Sequence, residues 1–117
     1  MEKYVDLTYL EDICEGNKPA MKEFIQMFLD QRADIEARFK KCFTAKDWKT
    51  LGETAHLAKS TLRVVGINNI AEKMAQLELY CRENTNHHLY EGFVDHFYLH
   101  IVPAVSELRQ IMETLDE

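Results

Sequence analysis

Four segments of this chain repeat their apolar residues every three or four positions, and none repeats them every second one. In one, Met21, Phe24, Phe28, Ile35, Phe39 and Cys42 follow that step. In the next, Trp48, Leu51, Ala55, Ala58, Leu62 and Val65 do. Ile70, Met74, Leu77 and Cys81 make a third stripe, and Phe93, Phe97, Ile101, Ala104, Leu108, Ile111 and Leu115 a fourth. A stripe of this period is one face of an α-helix, and the absence of two-residue alternation leaves the chain nothing from which to build a sheet. The stripes are narrow and the opposite faces strongly polar, so each helix can serve one core only. With four glycines and two prolines in 117 residues, few positions interrupt them.

Punctuation between the stripes sets expected helices at 7–15, 18–43, 46–65, 69–84 and 89–115. Thr8 with Glu11 three residues on reads as a capping box for the first. Gly16-Asn17-Lys18-Pro19 ends that helix and starts the next. Gly66 stands where a left-handed C-terminal cap is wanted, and Asn69 with Glu72 restarts the chain. The run Asn84-Thr85-Asn86-His87-His88 reads as a loop. Pro103 should kink the last helix without ending it, because the stripe continues in phase. Long amphipathic helices with short connections imply an all-α fold: an antiparallel up-down four-helix bundle with a short extra N-terminal helix, in one domain over residues 1–117.

The formal charge of −6 provides no basic stripe for nucleic acid. No apolar run is long enough to span a bilayer, and no signal-peptide pattern opens the chain. Cys14, Cys42 and Cys81 are odd in number and widely spaced, which suits free thiols in a reducing, cytoplasmic setting.

Helical phase singles out His56. It falls roughly 125° from the centre of its helix's apolar stripe, on the solvent side. Gly52, Lys59, Ser60 and Arg63 lie three, four or seven residues away and so share its face. An imidazole beside two cations can hold a phosphoryl group by charge-assisted hydrogen bonds, and small neighbours let another protein approach. Leu57 and Val64 lie off the stripe and read equally as part of a docking surface or as peripheral core.

Ala55-His56-x-x-Lys59-Ser60, then Gly66, then Leu77-Glu78, resembles the histidine-containing phosphotransfer (HPt) family. The opening Asp6-Leu7-Thr8-Tyr9-Leu10 and the helix from Phe24 to Leu29 extend the resemblance. It implies a four-helix bundle that relays a phosphoryl group between receiver-domain aspartates. It makes His56 the phosphoacceptor, Lys59 the support for the phosphate and Gly66 the turn glycine. Glu78 falls where the family has Gln or Glu hydrogen-bonded to the other ring nitrogen. Ser60 departs from the family's usual glycine, which bears on partner choice more than on activity.

On this resemblance neutral imidazole attacks an aspartyl phosphate through Nε2, with no cofactor on this chain and the divalent metal on the receiver. The expected partners are receiver domains of response regulators or a hybrid sensor histidine kinase, docking on the second and third helices of a monomer. No glycine loop for nucleotide is present, so autonomous ATP-dependent kinase activity is not expected. Two other readings exist. One is a helical interaction module never phosphorylated. The other is a metal-binding bundle, suggested by the Glu53-x-x-His56 spacing and by the pairs His87/His88 and His96/His100.

Overall fold

The computed structural model of the protein describes residues 3–115; the ends of the expected domain, residues 1–2 and 116–117, lie outside them. The helices are α1 (Thr8–Ile13), α2 (Lys18–Thr44), α3 (Trp48–Val64), α4 (Asn68–Glu83) and α5 (Tyr90–Thr114), with a 3₁₀ turn at His87–Leu89 inside the expected loop. No strand occurs among the described residues. Each of α2 to α5 packs on the next in the chain, and α5 closes the ring against α2. The connections are a few residues long, so successive helices run antiparallel. The expected boundaries are off by one or two residues at most ends.

Three local readings need correction. Thr8 does not cap α1: the helix is entered from Leu7 without a side-chain cap, and Asp6 instead takes hydrogen bonds from the Thr8 backbone (3.0 Å) and hydroxyl (2.6 Å). Asn69 does not cap α4, which already begins at Asn68. The third helix starts at Trp48 rather than at 46, because Lys46 takes a left-handed φ of 55° that ends α2. Asp47 then caps α3, its carboxylate accepting from Thr50 N (3.1 Å) and Thr50 Oγ1 (2.7 Å). Those two bonds hold its carboxyl below the ordinary carboxylate value.

The core is lined by Ile25, Phe28, Ile35 and Phe39 of α2, Leu51, Ala55, Ala58 and Leu62 of α3, Ile70, Met74 and Leu77 of α4, and Phe97, Ile101 and Leu108 of α5. Phe24, expected in the α2 stripe, is 38% exposed, and Ile25 takes the buried place. Trp48, Phe93, Cys81, Ile111 and Leu115 are only half-buried at the stripe edges. Pro103 lies inside α5 on an exposed position, and the helix runs through it.

Gly66 closes α3. At φ +73° it lets Ile67 N–H reach the Leu62 carbonyl (2.9 Å), a Schellman closure. It also seats the N-terminal arm: Asp6 N–H donates to the Gly66 carbonyl (3.1 Å), and a Cβ at 66 would lie 1.6 Å from the Asp6 carbonyl oxygen. Glu107 of α5 holds the same arm by accepting from the backbone N–H groups of Tyr4 (3.0 Å) and Val5.

Candidate functional site

The Asp47 cap fixes where α3 begins, and seventeen residues of unbroken helix carry His56 at its middle. The His56 side chain is 59% exposed, and its Nδ1 lies 2.8 Å from Glu78 Oε2 on α4. Leu77, beside Glu78, is fully buried and locks α4 against the core, which aims Glu78 across at α3. Lys59 Nζ donates to Glu78 Oε1 at 2.7 Å, and Arg82 Nη2 donates to Oε2 at 3.0 Å. Both oxygens of this carboxylate are therefore engaged, with only 12% of the side chain exposed.

Burial alone would raise the pKa of Glu78, but the hydrogen bonds from Lys59 and His56, and the Lys59 charge, more than offset it and hold the carboxyl below its ordinary 4.5. At neutral pH Glu78 is thus ionised and can only accept. The proton of the shared bond then belongs to His56 Nδ1, which leaves the lone pair of a neutral ring on Nε2. Nε2 makes no hydrogen bond among the described residues, on a side chain that is more than half exposed. The geometry presents a nucleophilic nitrogen at the surface whose opposite nitrogen is held by a fixed anion.

Around it the structure sorts the other candidates. Lys59 is only 18% exposed and bound to Glu78, so it sits deeper than the helical face suggested. Ser60 is exposed, its hydroxyl turned back to the His56 carbonyl (3.1 Å). Arg63 is exposed and takes no part in the Glu78 network. Leu57 and Val64 are half-buried and pack against the core.

Gly52 is a correction. It is buried, not exposed, because α4 crosses α3 so closely there that a Cβ would stand 2.8 Å from Cys81 Cβ. Gly52 and Cys81 form the floor of a cleft of roughly 510 Å³ between α3 and α4, with Trp48, Glu53, His56 and Arg82 on its walls. Burial pushes the Cys81 thiol up to about 11, so it stays protonated at neutral pH.

The motif residues of the sequence do not include Arg82. Its place four residues after Glu78, one turn on, was the available signal. The rings of His96 and His100, tilted 39° to one another with centroids 4.3 Å apart, lie on α5, with the Tyr4 hydroxyl 2.8 Å from His100 Nδ1. Among the described residues no three His, Cys, Asp or Glu side chains converge as metal ligands, and no helix is long and apolar enough to cross a membrane.

No curated protein and no solved structure matches the chain significantly. The family model for the Hpt domain matches residues 20–117, a span that holds α3, α4, α5 and all but the first two residues of α2, with His56, Lys59 and Glu78. The exposed nitrogen on a bundle helix and that match agree: the chain belongs to the Hpt domain family, the histidine phosphotransfer modules of two-component phosphorelays, which work with receiver domains and histidine kinases and have no kinase activity of their own.

Proposed function

We propose that the protein is a phosphorelay intermediate that accepts a phosphoryl group on His56 Nε2 from a receiver aspartate or a kinase and passes it to another receiver aspartate. The observation that carries this reading is the 2.8 Å contact between His56 Nδ1 and the ionised Glu78, which commits the proton to one nitrogen and the lone pair to the exposed other. Attack on an aspartyl phosphate is then a matter of positioning and charge stabilisation. Lys59 supports the site chiefly by fixing Glu78, while its charge lies near enough to favour an incoming phosphoryl group. Gly66 ends the helix beyond the docking area, and the receiver docks over Leu57, Ser60, Arg63 and Val64, with Gly52 contributing through the close approach of α4.

In this reading the divalent cation belongs to the receiver, no cofactor is held by this chain, and the relay runs in the cytoplasm with one monomer per step. The test is incubation with radiolabelled phospho-receiver domains. Acid-labile, base-stable label is expected on the wild type and none on His56→Gln. Equal labelling of the two proteins would overturn the assignment.

A further inference from the structure

In an imidazole phosphorylated at Nε2, the state of Nδ1 decides what happens next. Protonated, the ring is a phosphoimidazolium and a good leaving group. Deprotonated, the ring would have to leave as an anion, and the N–P bond is slow to break. Here Nδ1 faces a carboxylate at 2.8 Å, one that is shielded from water and tethered on both oxygens, so it cannot swing away from the ring. A neutral amide at position 78 could turn to donate to a bare Nδ1; a carboxylate cannot. With an ionised Glu78 opposite it, an unprotonated Nδ1 would set a lone pair against a negative charge.

We propose that Glu78 keeps His56 Nδ1 protonated throughout the cycle, so that the phosphorylated protein is held in its transfer-ready, short-lived form. This rests on His56 being the phosphoacceptor. In the accepting step the Nε2 lone pair forms the N–P bond while the acyl phosphate P–O bond breaks, its electrons passing to the receiver carboxylate. The ring gains a positive charge that Glu78 faces. In the donating step the N–P pair returns to Nε2 as the next aspartate, or water, bonds to phosphorus. The Nδ1 proton stays in place in both directions, so no acid or base has to act on the ring. Lys59 from α3 and Arg82 from α4 weaken the effect by sharing the carboxylate; of the other charged groups lining the cleft, Lys49 opposes the protonated ring and Glu53 favours it. An opposite charge held against the ring favours its protonated form, and the cations that share that charge temper the effect.

The experiment is the pH profile of phosphohistidine loss, a readout that a purely structural role for Glu78 would leave in place. The full chain is phosphorylated with phosphoramidate, freed of excess reagent, and followed by phosphorus NMR from pH 6 to 10. The expected wild-type rate holds its plateau about one pH unit further into alkali than that of Glu78→Gln. On the falling limb the Gln variant's phosphohistidine then lasts about tenfold longer, and Glu78→Asp, which keeps the charge, recovers part of the shift. Superimposable profiles for wild type and Glu78→Gln, with circular dichroism showing both folded, would overturn the inference alone. Absence of label on the wild type, or equal label on His56→Gln, would overturn the phosphoacceptor assignment and this inference with it.

Discussion

Position 52 shows how one missing side chain sets the geometry of the site. A methyl group there would have to displace Cys81 Cβ, which lies 2.8 Å from where it would stand. Gly52→Ala is therefore expected to cost about 1–3 kcal/mol by overpacking, read as a lower urea midpoint. Adding Cys81→Ala should give no relief, since alanine keeps the offending Cβ. Glu78 as the partner of His56 comes from the family resemblance alone, while helical phase puts His56 on the solvent side, where the structure has it. It could not see that α4 covers Gly52, because one helix's phase says nothing of how near its neighbour comes. The same limit hid Arg82, which matters only through a carboxylate that is itself held from another helix.

Among the elements, the turn from α2 to α3 carries backbone strain. Lys46 adopts a φ of 55°, where an L side chain crowds its own backbone, while Asp47 N–H reaches back to the Cys42 carbonyl at 2.9 Å to complete the closure. Lys46→Gly keeps the closure and removes the crowding. It is expected to raise stability by up to about 1 kcal/mol, or roughly 4 °C in Tm by calorimetry, less glycine's entropic cost. Helix existence and the core stripe were readable because the apolar period is strong. The C-terminal cap at Gly66 was readable too, but the N-terminal caps were not, since Thr8, Asp47 and Asn69 are all plausible N-cap residues and only the folded backbone selects among them. Phe24 and Ile25 illustrate the same ambiguity along α2: both fit an apolar stripe, and the position of α5 and α3 decides which is covered.

For the whole molecule, Tyr90 ties the start of α5 to the end of α4. Its hydroxyl donates to the carbonyls of Tyr80 (3.0 Å) and Thr85 (2.8 Å), with Trp48 packed edge-on against its ring. Burial, with the nearby Cys81 adding to it, pushes this phenol up to about 12 from an ordinary 10. The folded state keeps the proton to higher pH than the unfolded chain does, so the associated stability is complete below about pH 10 and is lost as pH rises through about 12. Tyr90→Phe is expected to lose about 1 kcal/mol at neutral pH with the two carbonyl bonds, yet to show a shallower fall between pH 10 and 12 in urea titrations.

The N-terminal arm belongs to this scale too. Its links to α5 join residues 96 to 103 positions apart, whereas the bundle is built from helices that follow one another in sequence. Contacts between neighbouring helices close small loops and form early, while the arm's bonds to α5, which span almost the whole chain, form only once α5 is in place. The arm's docking on α5 is therefore expected to come late in folding. Were the arm to lift off while the bundle stays folded, its release would uncover the glycine that terminates the His56 helix.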